Sequence, residues 1–241
     1  MKKVFILFLV FFNILSFTTY AQESIIWDYP VKLGTEAWKN TENRKAKVNV
    51  CQIPENVLPY ISTNDLAALC LQYPLLSDIF AFENINRGLD KLFNEFNGIR
   101  EFAKRKDALN CLKEEYLAEF RIFQNVLNTG SLLDRGGSIL LISMLEDLLS
   151  YSDFYTNSSI EEQKNILETL LFGYKEKLKY PEYFKRLGFT TNLFARAHLI
   201  IKIDPTFAEK FERENSAVLF SGMADANLIN TIDSLSYQLI K

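Results

Sequence analysis

The sequence predicts an all-α fold, and three observations lead to that prediction. Apolar residues recur at spacings of three and four, strand-like alternation is scarce, and prolines and glycines stand where helices begin and end. The clearest stripe belongs to a helix over about residues 107–127 and consists of Leu109, Leu112, Tyr116, Phe120, Phe123 and Leu127. We therefore expect about nine or ten antiparallel helices with short links, packed as a compact multi-helix bundle or as an α/α-superhelical array of the HEAT type.

The N-terminal half predicts an arm followed by short helices. Residues 22–40 are expected to form an arm whose aromatic side chains pack onto the helical body. Ser62 or Thr63 is expected to cap a helix that ends at the Tyr73-Pro74 step, because a residue before proline avoids the helical region. An apolar stripe over residues 85–96 predicts the next helix.

The C-terminal half predicts longer helices, two of them central. Ser159 and Glu162 have the spacing of a capping box at the start of a helix. Residues 139–149 and 193–203 are apolar on nearly all sides, which predicts helices covered by their neighbours, and a stripe over residues 228–239 predicts the last helix. No glycine-serine or proline-rich linker divides the chain, so residues 22–241 are expected to form a single domain.

The first 21 residues have the layout of a secretory signal peptide. Lys2 and Lys3 precede an apolar run, and small and polar residues ending at Ala21 follow it. We expect cleavage after Ala21 and an exported protein, periplasmic or secreted, with no membrane-spanning segment once the signal is removed. A retained membrane anchor is the alternative, because the apolar run is only slightly shorter than a spanning helix.

Composition narrows the classes of function. The net charge is −3, and a mildly acidic chain without a basic tract lacks the charge pattern of a nucleic-acid-binding protein. His198 is the only histidine, so histidine-based zinc and iron sites lack their ligands. Neither a nucleotide-binding loop nor a nucleophile elbow occurs in the sequence. We therefore expect no metal and no cofactor, and we expect His198 to have a structural role.

The three cysteines leave two interpretations open. An exported location permits disulfides without requiring them, and Cys51 and Cys70 are the candidate pair, on adjacent predicted helices. Alternatively, Cys70 and Cys111 are small core residues, because both lie on apolar stripes.

Charged and aromatic residues suggest where a ligand would bind. Asp78 is the only charge between residues 75 and 82, and among aromatic side chains its carboxylate would need a partner such as Arg100, Arg105 or a backbone amide. The predicted binding residues are Trp27, Asp78, Asn84, Asn97 and Arg105.

Three adjacent acidic pairs occur along the predicted helices. Neighbouring helical residues point about 100 degrees apart, so such a pair does not converge on one substrate atom. We expect Glu114-Glu115, Glu146-Asp147 and Glu161-Glu162 to lie on solvated faces or, for the last pair, at a helix start.

Four short segments resemble a known family. The chain reads CQIP at residues 51–54, YPL at 73–75, FNG at 96–98 and RKDA at 105–108. In these segments it resembles a family of uncharacterised exported bacterial proteins, and the match covers the first half of the exported chain, to about Tyr116. The resemblance implies an all-helical exported protein and brings no assigned activity.

These observations favour a noncatalytic binding or scaffold protein of the cell envelope. We expect a groove that binds a protein, a peptide or another envelope component. Two alternatives remain open: an exported inhibitor or immunity-type protein, and a hydrolase that uses carboxylates such as Asp78 or Asp107 brought together by the fold.

Overall fold

A computed structural model describes residues 27–82, 85–209 and 226–241, except the side chains of Arg186 and Leu187. Within these ranges the chain is all-helical and contains no strand. The all-α prediction is therefore confirmed, and the helices pack as a multi-helix bundle. The predicted signal peptide and Asn84 lie outside the described residues.

The described ranges contain ten complete α-helices and three short 3-10 helices. The N-terminal half has α1 (Glu36–Lys39), α2 (Arg44–Val50), α3 (Thr63–Leu71), α4 (Ile85–Glu95) and α5 (Asn97–Ala103). The C-terminal half has α6 (Ala108–Thr129), α7 (Leu132–Ser150), α8 (Ile160–Leu178), α9 (Pro181–Ile203) and α10 (Ala226–Leu239). The 3-10 helices are Leu58–Tyr60, Leu76–Ala81 and Ser152–Tyr155, and residues 205–209 are also helical.

Helices α6 to α9 form a four-helix bundle. Links of a few residues make antiparallel hairpins of α6 with α7 and of α8 with α9. Hydrogen bonds from Lys113 to Asn165 and from Gln124 to Glu176 show that α6 and α8 run parallel in register. Both hairpin turns therefore lie at the same end of the bundle. Helices α7 and α9 pack against each other in its centre, which confirms the prediction of two central helices.

Capping side chains fix the starts of the helices. Ser159 and Glu162 form the predicted capping box at α8, and Ser131 with Asp134 forms a second one at α7. Ser62 caps α3 by accepting a hydrogen bond from the Asp65 amide. Each cap satisfies backbone N–H groups that have no partner inside the helix.

The N-terminal arm packs onto the body through its aromatic rings. Tyr29 is buried, and its hydroxyl donates a 2.7 Å hydrogen bond to the carbonyl of Leu69 in α3. Trp27 packs edge-on against Tyr29 with ring centroids 4.9 Å apart. A buried tyrosine whose hydroxyl has a backbone partner fixes both the depth and the direction of the chain that carries it.

One glycine permits the closest approach in the bundle. A Cβ atom built on Gly173 of α8 would lie 1.8 Å from the hydroxyl oxygen of Tyr116 in α6. Tyr116 is fully buried, so its ring has no free space into which it can move. By contrast, a Cβ atom on Gly137 in the exposed first half of α7 would meet nothing within 4 Å.

Gly173→Ala should therefore destabilise the protein, and Gly137→Ala should not. We expect Gly173→Ala to lower the free energy of unfolding by at least about 1–3 kcal/mol, the usual cost of overpacking a core. Gly137→Ala should raise it by up to about 1 kcal/mol, because alanine is the better helix former. Urea unfolding followed by far-UV circular dichroism measures both values, and equal effects at the two positions would contradict the packing of α6 on α8.

Candidate functional site

A groove of about 430 Å³ lies between the N-terminal arm, the segment that follows α3, and α7. We call it the arm groove. Its arm side consists of Asp28, Tyr29, Lys32 and Leu33, and α7 contributes Leu140 and Met144. The remaining wall is formed by residues 71–77, around the Tyr73-Pro74 step that ends α3.

The arm groove presents apolar side chains and little free charge. Leu33 is 64% exposed and Leu140 is 40% exposed, although both are large aliphatic residues. Met144 lies one helical turn from Leu140 on the same face of α7, and methionine adapts to irregular apolar surfaces. The only charged lining residues, Asp28 and Lys32, form an ion pair with each other at 2.5 Å. The chemistry of this lining suits an apolar ligand.

Tyr73 adds a polar group beside the arm groove. Its ring stacks on Phe96 with centroids 4.2 Å apart and planes 8° from parallel. Its hydroxyl is buried without a hydrogen-bond partner. Burial raises the pKa of Tyr73, with a smaller contribution from the nearby Cys51 thiol, so the hydroxyl stays neutral and keeps its proton.

Asp78 lies in an ion-pair cluster at the surface. Its carboxylate pairs with Arg44, whose Nε is 3.2 Å from Asp78 Oδ2. The same guanidinium binds Glu95 at 2.5 Å, and Lys91 binds the other oxygen of Glu95 at 2.7 Å. Arg44, rather than Arg100 or Arg105, is therefore the partner of Asp78.

Asn97 joins two segments that are distant in sequence. Its side chain donates to the carbonyl of Ile53 at 2.6 Å and accepts from the amide of Ile53 at 3.0 Å. Gln52 reciprocates, because its side-chain oxygen accepts a hydrogen bond from the Asn97 amide at 3.1 Å. These contacts hold the start of α5 against the loop that follows α2.

Arg105 performs a similar role further along the chain. Its guanidinium donates to the backbone carbonyls of Ile61 and Leu58 at 2.5 and 3.2 Å. Asp107 accepts a 2.9 Å hydrogen bond from the hydroxyl of Thr63. Of the predicted binding residues that the structure describes, only Trp27 adjoins the arm groove, through Tyr29. A ligand contact at any of them stays a prediction.

The carboxylates named for a hydrolase are held in ion pairs and hydrogen bonds. Asp78 and Glu95 share Arg44. Partial burial raises the pKa of Glu95, but the hydrogen bonds and charges of Lys91 and Arg44 outweigh it and hold the pKa below its usual value. A general acid in a glycosidase needs the opposite shift.

The cysteines and the histidine lie in the core or at its edge. Cys51, Cys70 and Cys111 are buried free thiols, and burial raises the pKa of Cys51 to about 11. The Cys51–Cys70 disulfide stays a prediction. Burial lowers the pKa of His198 to about 4, and its ring lies 4.1 Å from that of Phe194.

The prediction for one acidic pair is wrong. Glu146 and Asp147 do not lie on a solvated face, because they are 0% and 1% exposed. They belong to α7, the central helix of the bundle, which has neighbours on nearly all sides. Glu161 and Glu162 at the start of α8 are exposed, as expected.

Four donors converge on the Glu146 carboxylate from three other helices. We call this set, with its acceptor, the Glu146 network. One oxygen accepts from Lys177 Nζ and Thr191 Oγ1, both at 2.5 Å. The other accepts from the Tyr116 hydroxyl at 2.6 Å and the Asn192 amide at 2.9 Å. The carboxylate therefore has four partners, which is about its full acceptor capacity.

Lys177 is as deeply buried as its partner. Its ammonium is 0% exposed and also donates to the carbonyl of Gly188 in α9 at 2.5 Å. Burial lowers the pKa of Lys177, and the adjacent Glu146 carboxylate opposes that shift. The ion pair thus ties α7, α8 and α9 together in the interior.

Arg196 extends the network to α10. Its Nε donates to the side-chain oxygen of Asn192 at 2.9 Å, and Nη1 donates to Asp233 at 2.7 Å. The guanidinium lies 4.5 Å from the ring centroid of Tyr174. Because Asn192 also belongs to the Glu146 network, α10 is linked to the bundle through one chain of polar contacts.

Asp147 is buried beside this network without sharing its partners. Its Oδ2 has no hydrogen-bond partner. Burial and the neighbouring Glu146 charge raise the pKa of Asp147 well above its usual value, although Lys177 opposes them. The environment favours the protonated carboxyl.

Helix α7 separates the Glu146 network from the arm groove. Met144 and Glu146 are two residues apart and thus point about 200° apart around the helix. Met144 lines the groove, whereas Glu146 faces the bundle interior. The network is a candidate for holding the groove wall in place rather than for contacting a ligand.

Sequence reasoning missed Lys177, Thr191, Asn192 and Arg196. A signal was present for two parts of the network, since Glu146 lies inside the predicted central segment 139–149 and Arg196 inside 193–203. A charge within a helix that is covered on all sides must be buried and paired. The partner on another helix cannot be read from either segment alone.

Comparisons with family models, with curated proteins and with solved structures returned no match to this chain. In the described ranges, no helix is both long and apolar enough to cross a membrane. The same part of the chain contains no cluster of three or more histidine, cysteine, aspartate or glutamate residues that could hold a metal ion.

Lys177→Met should be strongly destabilising, because it leaves the Glu146 carboxylate buried without its counter-ion. We expect a loss of about 3–5 kcal/mol in the free energy of unfolding, measured by urea denaturation. Adding Glu146→Gln should recover part of that loss. Lys39→Met, which breaks an exposed ion pair with Glu36, is the matched control and should change stability by less than about 1 kcal/mol. Equal losses for the two lysines would contradict the burial of the pair.

Asp147→Asn should change how stability depends on pH. The folded-state pKa of Asp147 is raised, so above about pH 4 the folded chain holds a proton that the unfolded chain has released. Wild-type stability therefore falls with rising pH until the folded-state pKa is passed. Relative to Asp147→Asn, the fall should approach about 1.4 kcal/mol per pH unit. Urea unfolding across this range measures it, with exposed Asp153→Asn as the control, and a constant difference between wild type and Asp147→Asn would refute the assignment.

Proposed function

We propose that this protein is an exported, noncatalytic binding protein whose arm groove receives an apolar peptide segment of another cell-envelope protein. The observation that carries the proposal is the groove itself, in which Leu33 and Leu140 expose large aliphatic side chains around a cavity of about 430 Å³. Concave apolar surfaces with few polar groups are the usual form of a binding site. The export signal at residues 1–21 supports a partner outside the cytoplasm.

Two further features support a peptide as the ligand. The charged lining residues Asp28 and Lys32 neutralise each other, so an apolar segment meets no unpaired charge there. The buried hydroxyl of Tyr73 lacks a partner, and a peptide carries backbone N–H and C=O groups along its whole length that can satisfy such a group. Met144 on the wall allows segments of different shape to fit.

The groove can be tested without knowing the natural partner. Random peptides displayed on phage are selected against the purified protein, and the enriched peptides are measured by isothermal titration calorimetry. We expect apolar sequences, and we expect Leu140→Glu to weaken their binding at least about tenfold, because a carboxylate would be desolvated in the groove. Ile160→Glu places the same charge at an exposed apolar position outside the groove and should leave affinity unchanged.

Two results would overturn the proposal. In the first, selection enriches no peptide over an identical selection against Leu140→Glu. In the second, the enriched peptides bind wild type and Leu140→Glu equally well. Far-UV circular dichroism of the variants establishes that the comparison is between folded proteins.

A further inference from the structure

The two hairpin turns of the four-helix bundle lie at one end, which we call the turn end: residues 121–135 and 175–185. Phe123 of α6 contacts Tyr180 between α8 and α9, with ring centroids 5.6 Å apart. Gln124 and Glu176 are hydrogen-bonded one turn below. The α6–α7 turn and the α8–α9 turn are therefore side by side, distant from the arm groove on the other half of α7.

The turn end carries the most exposed large apolar side chains of the described residues. Leu132 is 80% exposed and Leu133 is 84% exposed, and both belong to the first turn of α7. Leu178, the last residue of α8, is 52% exposed. The capping box of Ser131 and Asp134 fixes the backbone on both sides of the two leucines, so their exposure is built into the fold.

The charge at the turn end is opposite to that of the whole chain. Its exposed or half-buried cations are Arg121, Arg135, Lys175, Lys179 and Lys185. Its anions, apart from the buried Glu146 network, are Asp134, Glu176 and Glu182. Cations are in excess here, although the full chain has a net charge of −3. At the opposite end of the bundle, the exposed Ile160 is followed by Glu161 and Glu162.

We propose that the turn end docks on an anionic lipid surface. The leucine pair is positioned to enter the boundary between headgroups and acyl chains, and the surrounding cations are positioned to contact phosphate headgroups. Adjacent leucines on a projecting helix tip, surrounded by excess positive charge, match a surface that is apolar inside and negative outside. The proposal is independent of the arm groove, because none of its residues lines that groove.

Cosedimentation with vesicles tests the lipid proposal. The purified exported protein is mixed with vesicles of equal parts phosphatidylethanolamine and phosphatidylglycerol, and separately with neutral phosphatidylcholine vesicles. We expect binding to the anionic vesicles that weakens as salt screens the charges. The double variant Leu132→Ser, Leu133→Ser should reduce this binding at least about tenfold, because the apolar side chains that enter the lipid are lost. Ile160→Ser is the matched control and should bind as wild type does.

Three outcomes would overturn the proposal. The double variant binds the anionic vesicles as well as wild type does; wild type binds neutral and anionic vesicles equally; or neither vesicle is bound. A second copy of the chain is the competing occupant of the same leucines. If wild type self-associates in sedimentation velocity runs without lipid and only the leucine variant stays monomeric, the turn end is an interface between copies and the lipid proposal is wrong.

Discussion

The ion pair between Glu146 and Lys177 is the constraint on which the arrangement of the bundle depends. Both groups are fully buried, and removing two charges from water costs more than their attraction returns unless every other lone pair and proton is also satisfied. That condition is met only when α6 supplies Tyr116 and α9 supplies Thr191 and Asn192. An arrangement that shifts any of these helices leaves a buried charge incompletely paired. The pair therefore selects one packing of four helices among the many that apolar stripes alone would allow.

The same constraint positions the arm groove. Helix α7 presents Glu146 to the bundle and Met144 to the groove, about 200° apart around its axis. Because the polar side is fixed by directed hydrogen bonds, the apolar side is held at a defined rotation and height. Apolar packing alone specifies rotation weakly, since neighbouring aliphatic side chains can exchange places at little cost. A groove wall backed by the network is thus more rigid than its own exposed residues would make it.

The N-terminal half depends on a different kind of contact. The segments CQIP, YPL, FNG and RKDA, which carry the family resemblance, meet one another in space. Gln52 and Ile53 bond with Asn97, Tyr73 stacks on Phe96, and Arg105 binds the carbonyl of Ile61. In each case one side chain serves backbone groups outside regular structure or fills the space beside them. Short helices joined by loops leave many such groups, and buried backbone groups need partners. The motif residues therefore have structural work that is sufficient to explain their pattern.

The parts of the fold that were predictable from sequence are those that a single segment determines. The stripe of α6, the capping box at Ser159 and Glu162, and the burial of residues 139–149 each follow from spacing within one helix. The arm was predictable because its aromatic residues had to be covered. Pairing between segments was not: Asp78 binds Arg44 across 34 residues, and Glu146 binds Lys177 across 31. Periodicity gives the direction of a side chain from its own helix, whereas a pair also needs the distance and rotation between two helices.

The error at Glu146 and Asp147 has the same origin. Two adjacent acidic residues on an isolated helix are solvated, and that expectation was correct for Glu161 and Glu162 at the start of α8. Within a helix that was itself predicted to be covered on all sides, the two predictions were incompatible, and burial had the larger free energy because eleven mostly apolar residues favoured it. The carboxylates therefore had to be buried, and a buried carboxylate must find cations and donors or keep its proton. Glu146 takes the first course through Lys177, and the unpartnered oxygen of Asp147 indicates the second.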